Sequence, residues 1–354
     1  MFKWSWGFIM SDFRIDKITN RVGDAGTQIA GISTFSGTSG MQLPVGPTEH
    51  RGGRGRGIIV GGRTEPSSTE TNILSYIEIS TTGNSIDWGD YVHTIRSPGN
   101  CASSTRGIIM GGYNPSESPN YSQTIGYVTI SSQGGANIFG DLTQRRGWTG
   151  SCNNETRGCN AGDWGNQSSA IDFITIATTG NGSNFGDLTI GRQCTSCTQS
   201  PTRGIWSGGA IGPSPFVAYN IIDYITIATR GNATDFGDTQ AAAYGKTSTS
   251  SGTRAVIAEG NQHPSGNVNT ISYVEIATLG NAADFGDLEA ARAYLGSCSN
   301  KTRGVFNSGG QSPAATNTIS YITFSTTGNA LDFGDTLNAK EQTSALSDTN
   351  GGLV

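Results

Sequence analysis

Few residues in this chain have the type and spacing to do chemistry. Cys194-Thr-Ser-Cys197 has the spacing that can put two thiols on one metal ion or one exchangeable disulfide. A structural zinc centre takes a second such pair, and the other cysteines supply none. Cys101, Cys152 and Cys298 each stand five residues before an arginine, Arg106, Arg157 and Arg303. They read as equivalent places in a repeat, where a small side chain suits a crowded centre. Cys197 is one position off, and Cys159 has no assigned place. Nothing demands disulfides, which suits a protein made in a reducing cytosol. His50, His93 and His263 fall at unrelated positions and make no ligand set. Glycan hydrolysis takes two carboxylates. Glu117 and Asp163 are the acids outside the repeated pattern that could serve, and nothing in the sequence sets their spacing. The expectation is a protein that is not an enzyme, with no catalytic residue, no metal and no cofactor.

The repeated pattern must position everything else. Gly-Asp occurs at Gly89-Asp90, Gly140-Asp141, Gly186-Asp187, Gly237-Asp238, Gly286-Asp287 and Gly334-Asp335. An aromatic residue precedes each copy: Trp88, Phe139, Phe185, Phe236, Phe285 and Phe333. Twelve residues before each of these stands another: Tyr76, Tyr127, Phe173, Tyr224, Tyr273 and Tyr321. Sixteen residues after the Asp of the first five copies comes Arg106, Arg157, Arg203, Arg254 or Arg303, and Arg56 is the first of that series. A residue repeated in every unit serves the unit. The arginines are therefore expected on carbonyls or neighbouring Asp, and the Asp side chains on backbone N–H groups at a strand end.

Each unit reads as four strands. Residues 106–112 form a short apolar run stopped by two Gly, and 125–131 a β-branched strand. Thr-Gly-Asn at 179–181 is a hairpin turn. Asn-Phe-Gly-Asp-Leu at 184–188 starts the next strand, and a polar small-residue strand such as 296–300 follows. Only the interval from the diglycine to the Tyr/Phe varies, from 11 residues (Gly162 to Phe173) to 15 (Gly112 to Tyr127). All length variation therefore lies in one loop per unit, on one face. These loops carry aromatics the repeat does not require: Tyr113, Tyr121, Trp164, Phe216 and Tyr219. Loop aromatics stack on sugar rings or anchor protein contacts, so these five are the candidate binding residues.

The order diglycine, Tyr, aromatic, polar strand resembles the kelch repeat over about residues 51–354. The matching diglycines are Gly61-Gly62, Gly111-Gly112, Gly208-Gly209 and Gly309-Gly310; Ala161-Gly162 and Glu259-Gly260 keep only the second Gly. Five of the six units have Phe where kelch has Trp. The resemblance implies an all-β, six-bladed β-propeller whose aromatics pack between blades. The polar strand within 341–349 would complete the blade begun by Arg56 and remove open sheet edges. An RCC1-type propeller is the second reading. Seven blades stay open because Gly351-Gly-Leu-Val354 matches the start of a further second strand. Some kelch propellers are copper oxidases, and no His/Tyr ligand set is present here. Ser85-Ile-Asp-Trp-Gly-Asp90 is faintly similar to the Asp box of sialidases, but other copies lose the Trp, so it is expected to be a turn.

The chain has 354 residues, 14% of them charged, with 52 Gly and a net charge of −5. It has no basic stripe to hold nucleic acid and no apolar run long enough to span a membrane. Residues 1–50 do not fit the repeat, and the first nine read as an upstream extension. The segments 13–23 and 41–46, with Ile-Ala-Thr-Thr-Gly-Asn at 176–181 and Asp-Phe-Gly-Asp at 235–238, resemble tail-fibre-like structural proteins of marine and cyanobacterial phages. That resemblance implies a virion protein made in the host cytoplasm: a non-enzymatic tail fibre or surface appendage. Its arm, residues 1–50, would bind other virion proteins, as a homotrimer, and its propeller, 51–354, would meet a host surface glycan or protein or decorate the particle. The alternatives are a glycan-acting propeller hydrolase and a cellular kelch-type interaction module.

Overall fold

Apolar runs bounded by glycine become strands throughout the computed structural model, which describes residues 55–212, 216–311 and 313–348. The chain divides into two units, Met1–Pro47 and Thr48–Val354, and the described residues belong to the second. The expected arm at 1–50, His50 and the 351–354 segment lie outside the described residues. Every regular element among the described residues is a β-strand. No helix there is long and apolar enough to cross a membrane.

The strands form antiparallel sets of four. The first set is Ser344–Ser347, Arg56–Val60, Thr69–Glu78 and Ile86–Ile95. The second is Gly99–Ala102, Arg106–Met110, Ser122–Thr129 and Asn137–Arg146. The third is Gly150–Asn153, Arg157–Ala161, Ala170–Thr175 and Ser183–Asp187. The fourth is Ser196–Gln199, Arg203–Ser207, Ile221–Thr226 and Thr234–Asp238. The fifth is Thr247–Ser250, Arg254–Ala258, Thr270–Glu275 and Ala283–Asp287. The sixth is Gly296–Ser299, Arg303–Asn307, Ala314–Thr323 and Leu331–Glu341. Arg63–Thr64 pairs with both Thr69–Glu78 and Leu331–Glu341, joining the first and sixth sets into one ten-stranded sheet.

The first set takes its opening strand from the C-terminal end, with Gly57 opposite Ser347 and Val60 opposite Ser344. The turn before each arginine strand confirms the equivalence. A side-chain oxygen three residues before the arginine accepts its amide: Ser103 for Arg106 at 3.2 Å, Asn154 for Arg157 at 2.8 Å and Asn300 for Arg303 at 2.7 Å. For Arg56 that acceptor is Asp348 Oδ1, at 2.8 Å.

Aromatic-Gly-Asp has a geometric explanation. Each fourth strand carries a β-bulge, and the extra residue is the aromatic: Phe185 lies between Asn184, opposite Asp172, and Gly186, opposite Ile171. The same shift recurs in all six sets. A bulge re-aims one side chain, here into the space between sheets. Trp88, Phe139, Phe185, Phe236, Phe285 and Phe333 are accordingly buried. Their cores span neighbouring sets: Phe139 packs with Ile174 and Ile176 of the third, and Phe236 with Val274 and Ile276 of the fifth. The following Gly admits the next set's hairpin turn. A Cβ on Gly140 would stand 2.3 Å from the Gly180 carbonyl oxygen.

The expected role of the Asp side chains is corrected. Their main chain is what the fold uses: the Asp141 amide donates to Asn181 Oδ1 of the next turn at 3.0 Å, as Asp238 does to Asn281 and Asp335 to Asn84. The side chains lie partly exposed on the outer strands, where charge discourages edge-to-edge pairing. Residues 85–90 also differ from expectation: 86–90 begin the strand Ile86–Ile95 and make no turn.

The arginines are clasps. Each lies over its own set's Tyr or Phe and donates to a carbonyl of the next set. Arg106 is 4.6 Å from the Tyr127 ring and bonds Ile176 O at 2.8 Å. Arg157 is 4.8 Å from Phe173 and bonds Ile227 O at 2.7 Å. Arg254 does the same with Tyr273 and Phe324 O, Arg203 with Tyr224 and Ile276 O, and Arg303 with Tyr321 and Ser80 O. Arg56 lies over Tyr76 and bonds Ile130 O. The acceptors are carbonyls and not the repeat Asp. Tyr76, Tyr127, Phe173, Tyr224, Tyr273 and Tyr321 are half-buried beneath these arginines, so the fully enclosed aromatic of each pair is the bulge residue.

Candidate functional site

The six opening strands approach one another around a shared cavity because their residues are small: Gly, Ser, Thr, Cys and Ala predominate. Gly99–Ala102 packs on Ser344–Ser347 and on Gly150–Asn153, and the same contact recurs from set to set. The cavity has about 110 Å³ and is lined by all six sets. A second of about 60 Å³ shares Ser151, Ser248 and Ser297 with it. The residue seven after each Gly-Asp lines the larger one: Ser97, Trp148, Cys194, Gly245, Tyr294 and Gln342. All six have φ between 49° and 61°, the left-handed region. Main-chain bonds link several of them: Ser97 N donates to Gln342 O at 2.8 Å, Gln342 N to Tyr294 O at 2.9 Å and Tyr294 N to Gly245 O at 2.8 Å.

The variable loops lie next to this cavity. Tyr113 pairs in isolated bridges with both Arg96, the residue before Ser97, and Tyr121. Four aromatics gather there. Tyr113 and Tyr121 meet edge-to-face at 6.2 Å, both meet Trp148, and Trp164 lies tilted on Trp148 at 4.6 Å. Arg96, paired with Glu70 at 3.4 Å, sits 4.0 Å over Tyr113. Trp164 is 37% exposed while Trp148 is 8% exposed, so the pair offers one open face over a closed base. Burial, then the nearby Asp163 carboxylate, raises the Tyr121 phenol. A second group joins Phe216 to Tyr244 at 4.8 Å and to His263 at 5.1 Å, and Tyr244 to Tyr294 at 6.1 Å.

Of the five candidate aromatics, Tyr113, Tyr121 and Trp164 thus share one cluster and Phe216 belongs to another. Tyr219 makes no ring contact among the described residues; its N–H donates to Gly209 O and its carbonyl accepts from Ala243 N. Trp148, Tyr244, Tyr294 and His263 complete these groups, and the first three lie outside the variable loops. Trp148 and Tyr294 had a signal: at their repeat position the other sets carry Ser, Cys, Gly and Gln.

The other chemical candidates are dispersed or engaged. Glu117 accepts from Asn114 at 3.0 Å and pairs with Arg145. Asp163 is fully buried and accepts the amides of Gly165 and Asn166 at 3.0 and 2.9 Å. Cys194 and Cys197 both line the cavity, and Cys152 stands opposite Cys159 across two strands of the third set. Burial raises the Cys152 thiol well above its ordinary value. His93 packs on Tyr91 and burial lowers its pKa, while His263 is exposed in a loop. Among the described residues no three His, Cys, Asp or Glu side chains could hold a metal ion. Three pairs of buried charges are matched: Arg146 with Asp172 at 3.0 Å, Arg192 with Asp223 at 2.7 Å, and Lys246 with Glu259. No protein-family model matches the chain, and no curated protein is similar to it.

Proposed function

We propose that the six sets of strands are the blades of a closed, kelch-like β-propeller, and that this propeller is the non-enzymatic recognition or decorating domain of a phage virion appendage. The C-terminal strand paired with Arg56–Val60 and the six arginine clasps support six blades. One observation carries the recognition reading: the aromatics the repeat does not need collect beside the mouth of the shared cavity, with Trp164 partly open to solvent. The repeat aromatics lie instead within or between sheets. Glu117 and Asp163 flank the same cluster, and both are engaged by arginine or backbone amides, which favours binding over hydrolysis.

Two measurements test this. Mass spectrometry of purified virions should detect the chain. Changing Trp164 and Phe216 together to Ser should abolish binding to host cells with the fold intact, while Tyr219→Ser, outside both clusters, should bind normally. Undiminished binding by the double variant would move recognition away from this face.

A further inference from the structure

We infer that the junction of the sixth and first sets binds a small monovalent anion, of the size of chloride, at the Lys340 ammonium and the Ser75 hydroxyl. One repeat position leads there. Five residues after the Asp of Gly-Asp stand Ile95, Arg146, Arg192, Ala243, Arg292 and Lys340, all of them buried. The arginines reach into the next set, to the residue just before its half-buried aromatic. Arg146 pairs there with Asp172 at 3.0 Å and Arg192 with Asp223 at 2.7 Å. Arg292 donates to the Ser320 hydroxyl at 2.6 Å, and that hydroxyl donates to Glu289 at 2.7 Å. Where the repeat has Ala243, Lys246 supplies the cation instead and meets Glu259, which also accepts from Ser272. The first set has Ile95 and the second Gly126 at these places, so no charge arises between them.

Each of these buried cations thus has a carboxylate beside it or one hydroxyl away, and Lys340 does not. It is 3% exposed and makes no side-chain hydrogen bond or ion pair among the described residues. Ser75, just before Tyr76, stands where Asp172 and Asp223 stand, fully buried with its hydroxyl unpartnered. Gly61 occupies the place of Glu259 and brings no side chain. The neighbouring acids are engaged elsewhere: Glu341 with Arg63 at 3.7 Å and Glu70 with Arg96 at 3.4 Å. Burial lowers the Lys340 ammonium to about 8, with no carboxylate opposing it, so at neutral pH most of it is still charged. A buried charge without a counter-ion costs several kcal/mol. An ammonium only donates and a hydroxyl can donate, so their complement is an acceptor with one negative charge. Two junctions build that acceptor into the chain as Asp172 and Asp223; here a free anion takes its place. With so little of Lys340 open to solvent, a small ion suits the site and a bulky one does not. The ion would add to the main-chain pairing by which Arg63–Thr64 joins the same two sets. None of this depends on host recognition.

At pH 7 and constant ionic strength, replacing gluconate by chloride should raise the melting temperature of the full chain by about 2 °C relative to Lys340→Met, and then saturate. The chloride response should also vanish in Ser75→Asp, which copies Asp172 and Asp223 and supplies the missing carboxylate. Crystals of the unaltered chain soaked in bromide should give an anomalous peak beside Lys340 Nζ. No saturable chloride response in the unaltered chain, the same response in Lys340→Met, or bromide found only elsewhere would each overturn the inference. The chloride titration and the bromide soak of the unaltered chain decide the matter even where a variant fails to fold.

Discussion

Two positions of the same repeat behave in opposite ways. Sixteen residues after Gly-Asp, five sets carry Arg, joined by Arg56, and all six side chains do one thing: cover an aromatic and grip the next sheet's carbonyl. Seven residues after Gly-Asp, all six backbones share one left-handed φ, yet the side chains are Ser, Trp, Cys, Gly, Tyr and Gln. Between sheets, geometry and chemistry repeat together, because each interface solves the same packing problem. At the cavity mouth only the geometry repeats. Each set delivers a residue to the same place, and its side chain is free to differ. Variation on a constant backbone is how a symmetric scaffold acquires an asymmetric site.

The largest expected effect lies between the sheets. Phe285 is 2% exposed and packs with Val256, Phe306 and Ile322 across two sets. Phe285→Ala should cost about 3–5 kcal/mol in chemical denaturation. Tyr273→Ala, at its half-buried neighbour 6.0 Å away, should cost clearly less. Equal costs would mean the bulge residue has no special place and the interface reading is wrong.

A smaller effect is expected where the repeat is completed from the far end of the chain. Five turns before the arginines use neutral Ser or Asn, and the sixth uses Asp348. Burial raises the Asp348 carboxyl from 3.8 to about 7, with Glu78 adding to the rise and Arg56 opposing it. A folded-state pKa above the unfolded one means the folded protein holds that proton more tightly. The stabilisation is fully present below about pH 4 and is lost as pH rises through 7. Glu341, also raised by burial, acts in the same direction, while Lys340, lowered to about 8, acts above this window. Asp348 should therefore pull the melting temperature down between pH 5 and pH 8, against His93, whose pKa burial lowers, and Asp348→Asn, which copies Asn154 and Asn300, should remove that downward pull. An unchanged slope would separate Asp348 from the closing strand.

The spacing of Gly-Asp, its aromatics and Arg was enough to place every set of strands and the strand that completes the first, because those residues make the same contacts six times. What it concealed was which atoms act. The Asp of Gly-Asp recurs, yet the turn binds its amide; a repeated residue does not reveal whether its side chain or main chain is used. The half-burial of the tyrosines depends on arginines arriving from sixteen or more residues away in sequence. Trp148 and Tyr294 were hidden for the opposite reason: they occupy a repeat position, and only their departure from its small residues marks them.

The smallest expected effect is also the sharpest test of the comparison. Trp164 is 37% exposed, and its ring contact is with Trp148. It carries no repeat hydrogen bond beyond its main-chain bond to Gly147 O. Trp164→Ser should therefore shift stability by no more than about 0.5 kcal/mol, the range of surface substitutions, although it deletes as large a side chain as any in the protein. The same variant should lose host-cell binding. Size alone would predict a cost near that of Phe285→Ala, so the two measurements pull apart. A loss above about 2 kcal/mol would make Trp164 another interface residue and erase the distinction between the clasped sheets and the mouth. Near-zero loss together with weakened binding would fix the division of labour: repeated residues hold the sheets, and the residues that break the repeat meet the ligand.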